Sequence, residues 1–255
     1  MALKKLAIGL MHAPWAPGRP KLLSRVLDSL NDTSEIDFKI IEDTNHDGIW
    51  GTARRCWDFT TSCDAEYAMV MQDDMMPCKN FLQAAQRIIE ICGSRVVSFY
   101  SPSNAGTHAA ESRGQSWHSS LDAGWGGSVM IPMSVAMEFL KWVDEYLLPD
   151  FLPDQDDTRL NLFLMLHNLK IFHTSPSLIE HIGKDASVVG HAGPGRQASR
   201  FIGDGDPNQI DWTAGLQNPS FIGIHWPGSL AHLRCCMNSA GQEKFRDLIR
   251  NRFML

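Results

Sequence analysis

The sequence predicts an α/β fold, a mostly parallel sheet flanked by helices and followed by a Gly/Pro-rich C-terminal part. Three observations predict it. Short, branched apolar segments alternate with helix-length periodic ones along the first two thirds of the chain. Such alternation builds parallel sheets covered on both faces. After Gly183 the alternation stops, and residues 184–230 hold twelve glycines and prolines.

Residues 5–11, 36–41, 67–71, 95–99, 128–131 and 170–173 have the length and branching of buried strands. Leu22, Leu23, Val26, Leu27 and Leu30 share one helical face between the first two. Phe81, Ala84, Ala85, Ile88 and Cys92 share another, with Asn80 as the expected cap. Ser134 is the expected cap of a helix through Phe139, Leu140 and Val143. Residues 152–160 open an amphipathic helix through Phe163, Leu164 and His167, and a helix over 242–252 closes the chain. The organisation expected is one ligand-binding domain over 1–183, with residues 184–255 packed on it as a lid or acceptor-binding region.

Composition narrows the class. A chain of 255 residues, 44% hydrophobic and 20% charged, suits one folded domain and excludes bulk disorder. The six cysteines form no C-x-x-C pair, and the adjacent Cys235 and Cys236 suit a disulfide poorly, so a reduced, cytoplasmic protein is expected. No apolar run approaches a membrane span, so no membrane anchor is expected. The net charge of −6 divides into −8 over residues 1–183 and +2 over 184–255. An acidic first part suits a metal site, and a mildly basic last part would face an anionic acceptor.

The chemistry-bearing motifs stand at predicted strand ends, where ligands gather in α/β sheets. Gln72, Asp73 and Asp74 follow the third strand, and two adjacent carboxylates repel each other unless they share a cation. A hard divalent ion would satisfy them and bridge to a diphosphate. Gly124, Trp125, Gly126 and Gly127 precede the strand at 128–131; the glycines allow close approach to a ligand, and Trp125 would wall off a sugar. Asp154, Asp156 and Asp157 are more acids than a helix cap needs, and one of them would act as general base. His181 is a candidate metal ligand, with His225 as its rival. His12, Ala13 and Pro14 after the first strand, and Asp43 after the second, would hold a nucleobase and ribose. Arg54 and Arg55 would reach phosphate from the next helix.

In this order the motifs resemble the GT-A glycosyltransferases. Gln72, Asp73 and Asp74 look like the family's metal-binding D-x-D element, and Gly124 to Gly127 like its glycine loop. Asp156 and Asp157 look like the acidic helix start, with Asp156 where Glu is usual. His181 looks like the C-terminal metal histidine. The run from Pro176 to Gly183 is similar to one in animal N-acetylglucosaminyltransferase IV-type enzymes and in bacterial and phage glycosyltransferases.

The resemblance implies a GT-A, Rossmann-like catalytic domain that binds a nucleotide sugar, a UDP-sugar by preference. It implies Mn²⁺ or Mg²⁺ on Asp73 and Asp74, and Asp157 as base or sugar-orienting group. The acceptor it leaves open is a hydroxyl, either of a hydroxymethylated pyrimidine in phage DNA or of a bacterial surface glycan. Arg196 and Arg200 are the expected contacts to DNA phosphate, and Trp212 or Trp226 the expected platform for a glycan ring. Two other classes compete. A sugar-nucleotide nucleotidyltransferase would need a basic Gly-rich loop after the first strand, which residues 12–19 match poorly. A non-catalytic carbohydrate- or nucleic-acid-binding module leaves the ordered acidic motifs unexplained.

Overall fold

Leu6, Ile8 and Leu10 lie on one face of the first strand, β1 (Lys4–His12), and Ala7 and Met11 on the other, all of them buried. A strand apolar on both sides must be covered on both sides. The computed structural model describes residues 4–31, 33–121, 127–146, 156–183, 197–223 and 243. In chain order β1 is followed by α1 (Arg19–Leu30), β2 (Asp37–Glu42), α2 (Gly48–Ser62), β3 (Ala65–Gln72) and β4 (Met75–Pro77). Then come α3 (Phe81–Cys92), β5 (Val96–Ser98), α4 (Asn104–Glu111), β6 (Trp117–Ser120), β7 (Val129–Pro132) and α5 (Met133–Tyr146). The described elements end with α6 (Asp156–Leu166), β8 (Ile171–Thr174), β9 (Ile179–His181), a 3-10 turn (Pro207–Gln209) and β10 (Ser220–Phe221).

Eight strands form one sheet in the order β10-β6-β8-β5-β7-β3-β1-β2. The pairs β1–β2, β1–β3, β5–β8 and β6–β10 are parallel; β3–β7, β5–β7 and β6–β8 are antiparallel. Strands β1, β2, β3, β5 and β8 therefore point the same way and share one carboxyl edge. Strand β7 runs against them, so its first residues lie at that edge too. Two cores result. One joins Leu6, Ile8 and Leu10 to Met69 and Met71 beneath α1 and α3, and the other joins Ala68 and Val70 to α2, α5 and α6.

Each predicted strand is present within a few residues of its expected position. Several local expectations are corrected. Asn80 occupies the cap position of α3 but makes no capping bond; its side-chain amide reaches Asp206 at 3.4 Å instead. Ser134 lies inside the first turn of α5, which begins one residue earlier. Pro77 ends the short strand β4. The α6 helix is buried on all sides rather than amphipathic, because α2 and α5 cover it. Within residues 197–223, Trp212 and Leu216 enter the core and β10 pairs with the sheet, so this part of the Gly/Pro-rich region packs on the same body. The expected helix over 242–252 lies outside the described residues, apart from position 243. No described helix is long and apolar enough to cross a membrane.

Candidate functional site

The ends of β1, β2 and β3 lie side by side, which brings His12, Asp43 and Asp73 to one edge. Their backbones are stitched there: Asp43 N–H donates to the His12 carbonyl at 2.8 Å and Asp73 N–H to that of Met11 at 3.1 Å. Asp73 and Asp74 are both almost wholly buried. Burial of an ionised carboxylate is tolerated only with partners, and Asp73 has several. Its Oδ2 faces His12 Nδ1 at 2.6 Å and accepts Ala13 N–H at 3.3 Å, while its Oδ1 accepts from the Arg19 guanidinium. Arg19 Nη1 also lies 3.0 Å from Asp74 Oδ2.

Asp74 is held from the far end of the chain. The antiparallel pairing of β4 with β9 sets Met75 opposite His181, and Ile182 N–H donates to the Asp74 carbonyl at 2.8 Å. His181 Nε2 consequently lies 3.4 Å from Asp74 Oδ2. Gly183 passes so close that a Cβ there would stand 2.3 Å from the same oxygen, so any larger residue would displace the carboxylate. Burial pushes the Asp74 carboxyl up, but the His181 hydrogen bond and the Arg19 charge outweigh it, so the group lies below its ordinary value. Asp74 Oδ1 and His181 Nδ1 are buried without a hydrogen-bond partner. Orphaned polar atoms of this kind suit a ligand. Among the described residues no three His, Cys, Asp or Glu side chains group as a metal cage. The Asp74–His181 pair fits an ion that takes its other ligands from phosphate and water.

Gly127 reaches this edge from the start of β7. A Cβ on it would meet Met75 and Gln72 at 3.2 and 3.3 Å, so the end of the glycine loop lies directly on the carboxylate turn. Trp125 and Gly126 lie outside the described residues. The Asp43 carboxylate accepts from Asp47 N–H at 2.8 Å and from Trp15 Nε1–H at 3.3 Å. Trp15 is exposed and its ring lies 4.7 Å from that of His46, beside Ala13 and Pro14.

The acidic helix start returns to the same edge, since α6 feeds β8 from the opposite one. The Arg159 guanidinium stacks 4.5 Å over Trp50, joining the first turns of α6 and α2. Asp156 is buried and its charge acts on Cys56 of α2; Asp157 is the more exposed, and its Oδ1 accepts Thr158 N–H at 2.7 Å. Asp154 lies outside the described residues.

Other sequence candidates are engaged elsewhere. Arg54 forms a bidentate pair with Asp144 and a contact to Asp58 at 2.9 Å, tying α2 to α5. Arg55 binds Asp47 Oδ2 at 2.7 Å and the Glu42 carbonyl at 3.1 Å, closing the β2–α2 loop. Arg200 pairs with Glu111 at the surface. Trp212 is buried against Trp117, whose Nε1–H donates to its carbonyl at 2.7 Å, so it offers no platform to a sugar. Arg196, His225 and Trp226 lie outside the described residues. Arg19 is the site residue that the sequence reading missed. Its one signal is position, between Gly18 and Pro20 at the opening of α1.

No protein-family model matches the sequence, and no curated protein does. Among solved structures, S. aureus TarS 1–349 is similar at 14% identity and a TM-score of 0.44, over 69% of this chain and 59% of that one. The same fragment in complex with UDP-GlcNAc gives 14% identity and a TM-score of 0.43, over 72% and 62%. Full TarS gives 12% identity and a TM-score of 0.41, over 69% and 36%. This chain thus covers less than two thirds of the length of each.

Proposed function

We propose that the chain is a GT-A-type glycosyltransferase that moves a sugar from a nucleotide sugar to a hydroxyl acceptor, with Mn²⁺ or Mg²⁺ at Asp74 and His181. The observation that carries this reading is the convergence at one sheet edge of three parts. These are Asp74 with an unpartnered buried oxygen, His181 beside it, and the end of the glycine loop against Gln72.

Each part has a task in that chemistry. Asp74 and His181 contribute one oxygen and one nitrogen to the ion. When bound there, the ion would supply charge neutralisation to the leaving diphosphate. Asp73, held by His12, Ala13 and Arg19, fixes the geometry of the turn and places Asp74. The shelf of Ala13, Pro14, Trp15 and Asp43 takes the nucleoside, with Trp15 presenting an exposed ring to the base. Asp157 takes the proton of the acceptor hydroxyl in an inverting displacement, or orients the sugar in a retaining one.

The test is release of nucleoside diphosphate from a panel of nucleotide sugars, with hydroxymethylated DNA and glycans as acceptors. The expected result is turnover of one donor class, lost in EDTA and restored by Mn²⁺. No turnover with any donor, or full turnover in EDTA, contradicts the proposal. Acceptor KM over a salt series then separates the acceptors. DNA predicts a steep rise in KM with salt, because bound counterions are released on binding, and a glycan predicts a flat response.

A further inference from the structure

We propose that Arg19 is a positioning residue that keeps Asp73 out of metal coordination and keeps the nucleotide-free protein's affinity for a divalent cation low. The metal then binds together with the nucleoside diphosphate rather than before it. This rests on the reading of Asp74 and His181 as the metal-binding pair.

The local sequence is built to deliver this side chain. Gly18 has φ 83°, a left-handed conformation that turns the chain inward at little cost for glycine alone. Pro20 follows in the first turn of α1, where its missing N–H has no helical partner to lose. The Arg19 side chain between them is buried and reaches both carboxylates.

Its contacts divide the pair. Asp73 has both oxygens engaged, one by Arg19 and the other by His12 and Ala13 N–H. Asp74 shares one oxygen between Arg19 and His181 and has the other unpartnered. The cation that adjacent carboxylates require is therefore already supplied by the chain for Asp73, and of the two only Asp74 keeps an oxygen without a partner. A guanidinium fixed this near also repels an incoming dication, and in a buried site that repulsion is poorly screened. Two protein ligands and an opposing charge make a weak resident site. A diphosphate supplies oxygens and negative charge from the other side, which reverses the balance.

The experiment measures free Mn²⁺ by electron paramagnetic resonance in titrations of the folded protein, alone and with UDP, GDP, ADP or CDP. For the unaltered chain, one nucleoside diphosphate should tighten Mn²⁺ binding by about tenfold or more. Arg19→Met should bind Mn²⁺ alone about tenfold tighter than the unaltered chain. The charge-balanced double variant Arg19→Met/Asp73→Asn covers the case in which the single variant fails to fold. Asp73 places Asp74 but is no ligand, so this variant should still bind Mn²⁺ with nucleotide, weakened by no more than about 10–100-fold, the cost of losing a group that orients a ligand. Three results would overturn the proposal: an unaltered chain that binds Mn²⁺ equally well without nucleotide, a folded Arg19→Met that binds no tighter, or a double variant that loses the metal. If Asp74→Asn leaves Mn²⁺ binding unchanged, the metal reading itself falls. If Asp74→Asn abolishes binding while Arg19→Met changes nothing, only the role of Arg19 falls.

Discussion

Asp73 and Asp74 sit in a turn at the end of a strand, whereas Asp156 and Asp157 open a helix, and the two pairs meet the cost of adjacent charges differently. A helix start supplies its own unpaired N–H groups and the positive end of a dipole, and there Asp157 Oδ1 accepts Thr158 N–H at 2.7 Å. A strand end supplies neither. There the charge is met by side chains distant in sequence, with His12 and Arg19 contacting Asp73 across 61 and 54 positions. The comparison teaches that local backbone meets part of the charge at a helix start, while a strand end depends on groups converging from elsewhere in the chain.

The largest effect should come from Asp74→Asn. We expect turnover to fall by about 10³-fold or more with the circular dichroism spectrum unchanged, since it removes the carboxylate proposed to hold the metal. A variant with near-normal turnover would reverse the ranking of the two pairs. Next is Asp157→Asn, expected to lower kcat by about 10²-fold, the lower end for general-base catalysis, with donor KM little altered. Equal and small losses from Asp156→Asn and Asp157→Asn would return the helix start to a purely capping role.

A smaller change should follow Gly183→Ala. The added Cβ would stand 2.3 Å from Asp74 Oδ2, so the carboxylate must shift. We expect the Mn²⁺ concentration for half-maximal activity to rise about tenfold, as for groups that orient a metal ligand. An unchanged requirement would show that the carboxylate position does not govern metal binding.

The Asp74 carboxyl, lowered from an ordinary value of 3.8, also predicts an acid signature. A depressed carboxyl contributes stability that is full above that value and is lost as pH falls through the lower folded one. Urea melts of the unaltered chain and Asp74→Asn should therefore differ most above pH 3.8 and converge as the pH falls below it. Divergence on acidification would contradict the assignment. The smallest effect should be that of Arg54→Ala. Its pair with Asp144 is about a third exposed on the Arg54 side, so the cost should be below about 1 kcal/mol in a melt, with activity intact. A large loss of turnover would restore Arg54 as a phosphate contact.

Much of the fold was legible because its strands are apolar on both faces: residues 5–11 and 67–71 have the length and pattern of buried strands. Strand β6 was not, since Trp117, His118, Ser119 and Ser120 are buried through polar bonds instead of apolar pattern. His118 reaches Ser101 at 3.1 Å and stacks on His173, which reaches Ser120 at 2.7 Å. Such bonds depend on partners that local periodicity does not encode. The same limit applied at the site. The acids and His181 carried a signal in their order along the chain, and the structure brings Asp74 and His181 together. Arg19 carried only its position between Gly18 and Pro20, because a buried counter-ion otherwise reads in sequence like any surface arginine. The repulsion between Asp73 and Asp74 was read as a demand for metal, and part of that demand is met within the chain by Arg19.

The central claim is that Asp74 and His181 hold a nucleoside diphosphate through a divalent ion. It is tested most directly by thermal melts with each of UDP, GDP, ADP and CDP, with and without Mn²⁺, on the unaltered chain and on Asp74→Asn. Selective binding to the folded state raises Tm. The account predicts a rise with one diphosphate only when Mn²⁺ is present, and none in Asp74→Asn. The same rise in folded Asp74→Asn, or no rise with any diphosphate and Mn²⁺ in the unaltered chain, would contradict it.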